Sequence, residues 1–447
     1  MRNIAVRLSQ HGPAQRYWIG YSGGLDSHVL LHQCAGLNRN PAHPEFCGKQ
    51  RFTAVHVHHG LQAAADEWAT HCAAVCAELD LPFRLIHVDA QALPGQSPEE
   101  AARNARYRAF AELLAEGDVL LTAQHADDQA ETVLLQLLRG SGLAGLAAMP
   151  EAMPFGKGRL LRPLLAWNRT ALQDYARIHR LSWQEDPSNQ QTAFDRNFIR
   201  HQILPLLTQR WPGVAVALSR TARHCAEAQG QLERWAEDLL HEAAAGEADG
   251  TLSVAALRRR QAPEQRLVLR HWLKQAGFRA PSTVVLQRVI HEALAAAQDR
   301  SPCVAWREGE IRRYRDRLYA LPPLPALDAQ EVFDWNGDEP LLLPGNGVLT
   351  AVAQPGPGIK PELWRGAKQV RYRQGGERCR LPRRQGNHLL KKLFQEDARL
   401  PPWVRERVPL LYIDGQLAAV GDLWICEPFA DATHGIALHW NETRLKT

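Results

Sequence analysis

Over the first 150 residues, short apolar runs alternate with stretches in which apolar residues recur every three to four positions. The runs are Arg16–Tyr21, Phe52–His58, Phe83–Val88 and Val119–Ala123, and each predicts a buried strand. Between the second and third runs, Trp68, Cys72, Val75 and Leu79 keep helical spacing. Ser97-Pro98-Glu99-Glu100 predicts a helix start, with a serine cap, a proline at the first helical position and a glutamate able to reach back. Alternation of this kind predicts a parallel sheet with helices on both faces. Ligands of such sheets bind beyond the carboxyl ends of the strands.

A Pro/Gly-rich passage, Met149–Gly158, interrupts the pattern, and Asn168 to about Arg210 returns to helices and a loop. From Gly213 to Ala297 the spacing predicts nearly continuous helix, followed by two strand-like runs, Cys303–Arg307 and Glu310–Ala320. The proline-rich stretch Leu321–Ala329 reads as a linker, and the short apolar runs beyond it predict a small α/β or mostly β module. These shifts divide the chain into 1–212, 213–325 and 326–447: an α/β catalytic domain, a mainly helical domain and a C-terminal basic module.

Composition narrows the class. A chain of 447 residues exceeds what one hydrophobic core organises, so several domains are expected. No apolar run approaches a membrane span of ~20 residues. The N-terminus lacks the apolar core and cleavage site of a secretory signal, and eight scattered cysteines without a CxxC pair suggest neither a disulfide scaffold nor a zinc site. A cytoplasmic enzyme is the expectation. The net charge is only +5, but Arg365–Arg407 holds 13 Lys/Arg against 4 Asp/Glu, while the remainder holds 40 against 44. Such a concentration fits either a docking surface for a polyanion or a solvated basic face.

Candidate chemistry begins at the first strand's end. In Ser22-Gly23-Gly24-Leu25-Asp26-Ser27 two glycines allow a tight turn that presents backbone amides, and the helix that follows aims its positive dipole end at the same place. That combination suits phosphate. Ser22 and Ser27 add hydroxyl donors, whereas Asp26 would repel phosphate without a bridging cation, which points to Mg2+. No GxxxxGK[ST] or GxGxxG motif is present, so neither a Walker-type NTPase nor a dinucleotide-binding dehydrogenase is indicated. Asp128 and Glu131 lie three apart at a predicted helix start, and Asp127 and Glu131 four apart, so their charges share a face able to hold an ammonium. Acidic residues in a first helical turn are also favoured by the macrodipole alone.

The glycine loop after a strand resembles the signature of the PP-loop ATP pyrophosphatases. That resemblance implies ATP binding, transfer of AMP to a carbonyl oxygen and release of pyrophosphate. Further stretches resemble the tRNA-isoleucine lysidine synthetases within that superfamily. They are His56-Val57-His58-His59-Gly60-Leu61, Ala102-Arg103-Asn104-Ala105-Arg106-Tyr107, and Thr122 through Thr132. Arg162-Pro163-Leu164-Leu165, Glu185-Asp186-Pro187-Ser188-Asn189 and Asp195-Arg196-Asn197-Phe198-Ile199-Arg200 continue the series. The tail, Lys391 through Gln395 and Pro401-Pro402-Trp403, is similar too, while Gln124 departs from the second histidine many members carry beside His125.

The resemblance implies a defined reaction: adenylation of the 2-carbonyl of the wobble cytidine in isoleucine tRNA with a CAU anticodon, then displacement of AMP by the ε-amine of free L-lysine. The product, lysidine, pairs with A rather than G. By the same resemblance, Ser22, Gly23, Gly24, Leu25, Asp26, Ser27, His56 and Arg106 hold ATP, and Asp26 also carries Mg2+. Asp26, Asp128, Glu131 and Arg196 are the candidate catalytic residues. Asp127, Asp128 and Glu131 serve lysine, and Arg103 and Arg200 meet the substrates. Arg383, Arg384, Lys391 and Lys392 dock the tRNA, and a second copy of the chain is counted among the candidate partners. Read as bare residues, Arg103, Arg106, Arg196 and Arg200 fit solvated helix faces equally. His56, His58 and His59 read as a strand end lining a pocket rather than a metal site. Three alternatives remain beside this reading, and the basic tail argues against the first, an ATP-dependent amidotransferase or synthetase of small molecules. A tRNA-thiolating enzyme would be expected to show paired cysteines, and a non-catalytic tRNA-binding protein would not need the intact loop.

Overall fold

The computed structural model describes residues 4–48, 51–60, 65–91, 98–184, 194–244, 250–279, 281–297, 300–397 and 400–441. They form two compact units, Met1–Gln231 and Leu232–Thr447.

The first unit is built on a six-stranded sheet. Its strands are β1 (Tyr17–Gly20), β2 (Phe52–His58), β3 (Phe83–His87), β4 (Val119–Leu121), β5 (Ala152–Phe155) and β6 (Gly158–Leu161), in the spatial order β3-β2-β1-β4-β6-β5. All neighbours run parallel except the β5–β6 hairpin. The helices are α1 (Ile4–Gln10), α2 (Leu25–Asn38), α3 (Ala65–Glu78), α4 (Pro98–Leu113), α5 (Ala126–Leu138), α6 (Leu143–Leu146), α7 (Arg169–Ile178), α8 (Asp195–Phe198), α9 (Leu204–Arg210) and α10 (Val214–Ala243). Residues Ile199–Ile203 form a π-helical turn joining α8 to α9.

Strand alternation sends side chains to both faces of the sheet. Tyr17, Ile19, Phe52 and Ala54 pack with α1, α2, α3 and α7 in one core. Trp18, Val55, Val57 and Leu120 pack with Ala109 and Phe110 of α4, and with Leu114 just beyond it, in another. Leu30 and Leu31 of α2 are fully buried, each contributing roughly 1.5–3 kcal/mol by removal from water. The strand order reverses between β1 and β4, because β2 and β3 lie on one side of β1 and β4 on the other. A crevice at such a switch point is where open α/β sheets take ligands.

The four predicted strands are present, but the Pro/Gly-rich passage is not an interruption. It is the β5–β6 hairpin, turned by Gly156 at φ +54. A Cβ on Gly158 would stand 2.3 Å from the Asp118 carbonyl oxygen, so only glycine lets β6 close against β4. The predicted serine cap of α4, and the stretch Glu185–Asn189, lie outside the described residues.

The second unit begins within α10. Helices Val254–Arg258, Ala262–Gln275 and Thr283–Arg288 and the π-helical segment Val289–Leu294 surround a core containing Leu257, Leu269, Trp272 and Leu286. Against them lies a four-stranded sheet in the order Leu252–Ser253, Arg317–Leu321, Glu310–Tyr314, Cys303–Ala305. The run predicted as one strand, Glu310–Ala320, is a hairpin, because Arg315 adopts φ +54 at its turn.

Two five-stranded antiparallel sheets follow, one containing Lys368–Arg371 and Leu410–Ile413 and the other containing Val348–Pro355 and His434–Asn441. Phe394 and Trp403 are buried, as core packing requires. Cys379 and Cys426 form a disulfide across 47 residues of sequence, a pairing that spacing alone does not reveal. Among the described residues no helix is long and apolar enough to cross a membrane.

Candidate active site

The loop between β1 and α2 is closed by its own serines. Ser27 donates from Oγ to the Gly24 carbonyl at 2.9 Å and accepts from the Ser22 backbone N–H at 3.2 Å. The Ser22 and Ser27 hydroxyls also meet at 3.1 Å. Gly23 takes φ +83, a conformation that favours glycine, and a Cβ there would come within 3.1 Å of the buried Cys72 sulfur. Gly24 caps α2 without a side chain, so the first amides of the helix have no side-chain cap. The loop is therefore a nest of backbone donors at a helix N-terminus, a setting suited to phosphate.

Across the switch point, β4 leads into α5 through Thr122–His125. His125 is the N-cap of α5, and its backbone N–H donates to Asp128 Oδ2 at 3.1 Å, closing a capping box. Its imidazole is 1% exposed and lies 3.5 Å from each of the Asp26, Asp127 and Asp128 carboxylates. Burial pushes the ring toward neutrality, but hydrogen bonding to Asp127 and Asp26, with the charges of Asp128 and Asp26, outweighs it and raises the pKa to about 10. Nδ1 also lies 3.2 Å from the Asp127 backbone N–H, the cap geometry of a neutral ring. With a proton on Nδ1 that contact gives way to the Asp127 carboxylate, and the three surrounding carboxylates favour this charged form.

A histidine whose folded pKa lies above its unfolded value of ~6.5 stabilises the fold fully below that pH. The contribution is lost as pH rises through about 10. Wild-type protein is thus expected to lose more thermal stability between pH 7 and 10 than His125→Asn, measured by melting at each pH. Parallel losses would remove the charged histidine from this account.

The carboxylates of α5 meet two arginines that follow 65 residues or more later in the chain. Glu131, 1% exposed, accepts at Oε2 from Arg196 Nε at 2.7 Å and at Oε1 from Arg200 Nε at 2.6 Å. Arg200 Nη2 adds a third bond to Glu131 Oε2 at 2.9 Å. Asp128 Oδ1 receives Arg196 Nη2 at 3.0 Å and Arg200 Nη2 at 3.1 Å. Burial would raise the Asp128 pKa, yet His125, Arg196 and Arg200 hold it below the ordinary carboxylate value. Arg196 and Arg200 are four apart and so share a face, and Ile199 packs with Ala130 and Leu204. Asp127 is turned elsewhere, accepting from the Arg169 backbone N–H at 2.8 Å at the start of α7.

The structure therefore brings Asp26, Asp127, Asp128 and Glu131 around His125, Arg196 and Arg200. His125 is the residue that sequence reasoning left without a role. Its signal was a histidine at a helix cap with aspartate three positions on. His56 is buried and its Nδ1 lies 2.8 Å from the Tyr21 carbonyl oxygen, with burial lowering its pKa, so it braces the end of β1 as a neutral donor. His59 is pushed down to about 4, first by burial and then by Arg106 and its neighbouring histidines. Arg103 is exposed and stacks 5.0 Å from the Tyr107 ring. In the second unit, Arg383 is exposed at a turn with φ +64, and Arg384 pairs with Glu396 at 2.8 Å. Lys391 and Lys392 are exposed on the helix Leu390–Glu396.

Among the described residues no group of three or more His, Cys, Asp or Glu is arranged to hold a metal with protein ligands alone. Asp26 Oδ1, by contrast, is buried without a hydrogen-bond partner. One free carboxylate oxygen beside a phosphate loop fits Mg2+, which is usually held by one or two carboxylates together with substrate phosphates.

A parallel sheet whose first strand ends in a glycine-turned serine loop, facing a carboxylate cluster across the switch point, defines a PP-loop α/β domain. The PP-loop domain family matches residues 2–207. The TilS substrate binding domain matches residues 252–319, and the TilS substrate C-terminal domain matches residues 369–440. A tRNA(Ile)-lysidine synthase of Methylococcus capsulatus is 49% identical over 96% of this chain and 97% of its own length. Those of Alkalilimnicola ehrlichii and Coxiella burnetii are 44% and 43% identical, over 95% and 92% of this chain and 94% and 90% of their own lengths. The chain belongs to the tRNA(Ile)-lysidine synthase family of enzymes.

Proposed function

We propose that this chain joins the ε-amine of free lysine to C2 of the wobble cytidine in an isoleucine tRNA with a CAU anticodon, at the expense of ATP. The observation that carries the reading is the meeting of the serine–glycine loop with the His125-centred carboxylates across the switch point, in a chain related to a lysidine synthase over 96% of its length.

The chemistry sets three demands. An amide-type oxygen is a poor leaving group, so cytosine O2 must first become a phosphate ester. The backbone donors of Ser22–Ser27 would orient the triphosphate for attack by that oxygen at the α-phosphorus, with pyrophosphate departing. Asp26 would hold Mg2+, which would supply charge neutralisation as pyrophosphate departs. A cationic amino acid must then be held. Asp128 and Glu131 are its candidate partners, and lysine gains them only in exchange for Arg196 and Arg200. Lastly, the attacking amine must lose a proton, since its ordinary pKa is ~10.4. A neighbouring carboxylate, Asp127 or Asp128, would accept it. The amine forms the new C2–N bond, and AMP leaves with the former O2 oxygen.

The tRNA body falls to the two later parts of the chain, 213–325 and 326–447, with catalysis in 1–212. Arg383, Lys391 and Lys392 offer exposed charge to phosphates, and Arg384 would join them by releasing Glu396. With a tRNA substrate the reaction would run in the cytoplasm.

The test is incubation with labelled lysine, ATP and unmodified isoleucine tRNA. The expected result is label in the RNA matched one to one by pyrophosphate. Pyrophosphate release without label in RNA would overturn the lysine assignment, and thiolation or mere tRNA binding would leave the RNA unlabelled.

A further inference from the structure

Resting on that reaction, we propose that the guanidinium groups of Arg196 and Arg200 occupy the place of the lysine ammonium until nucleotide binds, so that lysine binds productively only after ATP.

The carboxylates best suited to a cation are already filled. Glu131 has both oxygens engaged, and Asp128 Oδ1 receives both arginines. Asp128 Oδ2 is held by the His125 backbone N–H. Within the group, Asp128 and Glu131 are matched by the two guanidinium groups, so an added ammonium finds neither carboxylate unpaired. Glu131 is 1% exposed, and a buried cation-binding group of this kind does not open to solvent without a substitute for its partners.

A triphosphate supplies the counter-attraction. Guanidinium groups pair with phosphate oxygens in the same two-bond geometry they use with carboxylates. Asp26, in the phosphate loop, lies close enough to Arg200 to stabilise its charge, which places the loop within electrostatic reach of that guanidinium. Arg200 is also carried on the π-helical turn Ile199–Ile203, a local departure from α-geometry that often marks functional sites. Transfer of either guanidinium to phosphate leaves Asp128 and Glu131 with unpaired charge. A compact ammonium then restores the balance. No bond is made or broken in this exchange, and the net effect is that nucleotide and lysine favour each other's binding.

The measurement is equilibrium dialysis of labelled L-lysine against the full-length protein, alone and with saturating Mg2+ and an ATP analogue bridged by methylene between the α- and β-phosphorus. The expected result is lysine affinity about tenfold higher with the analogue, within the roughly 5–150-fold range of site-to-site coupling. Arg200→Met is expected to bind lysine more tightly than wild type without nucleotide and to lose most of the gain from the analogue. Wild-type affinity that is equal, or undetectable, in both states overturns the proposal, whether or not the variant folds. A folded Arg200→Met with unchanged coupling does the same. Labelled-lysine transfer by the same wild-type preparation separates the two levels: transfer without coupling sinks this inference alone, and absent transfer sinks the reaction itself.

Discussion

Asp26→Asn is expected to reduce ATP-dependent pyrophosphate release by a factor on the order of 10²–10³ while leaving the fold intact. The carboxylate has one oxygen toward His125 Nε2 at 3.5 Å and the other buried without a partner. An amide of the same shape keeps the packing but cannot neutralise a metal. Loss of Lewis-acid assistance at a phosphoryl centre costs several kcal/mol, and each ~1.4 kcal/mol is a factor of ten in rate. The side chain is 33% exposed, and Asp127 and Asp128 still face His125, so the melting temperature at neutral pH should fall only modestly. Pyrophosphate release by purified variant and wild type at saturating ATP and tRNA checks this. Undiminished release would overturn the proposal that Asp26 holds Mg2+.

Glu131→Ala should destabilise the first unit by about 3 kcal/mol, the lower end of the range for breaking a buried ion pair. The lower end applies because the abandoned Arg196 and Arg200 side chains keep 28% and 21% of their exposure and can turn toward water. For a domain of this size each kcal/mol moves the melting temperature by roughly 2–4 °C, giving a fall of about 6–12 °C. Glu131→Gln keeps an acceptor for one arginine and should fall less. Thermal melts of both variants decide the matter. A Glu131→Ala protein as stable as wild type would show that the carboxylate is not the anchor of the arginine pair.

Local signals made much of this architecture legible. β1, β2 and β4 are wholly or almost wholly buried apolar runs, and that is how strands covered on both faces read. The β5–β6 hairpin was hidden because Pro154, Gly156 and Gly158 carry a loop's composition, and only the close approach to Asp118 explains the last of them. The Arg315 turn was missed because an arginine in the left-handed region has no compositional mark.

At the site, the loop Ser22–Ser27 announced itself through contiguous residues. The acidic face of α5 was visible through its three- and four-residue spacing. Its neutralisation by Arg196 and Arg200 was not, because the partners lie 65 to 72 residues away, a separation spacing cannot bridge. His125 went unassigned for the same reason. Two of its three carboxylates are local, but the third, Asp26, comes from the other side of the switch point.

In the proposed reaction the loop at the end of β1 directs the α-phosphate onto the cytosine O2 oxygen. Isoleucine tRNA labelled with ¹⁸O at O2 of the wobble cytidine tests it most directly, by mass analysis of the AMP released during lysine transfer. One ¹⁸O atom is expected in each AMP. AMP free of the isotope, with lysine nonetheless joined to the RNA, would contradict it.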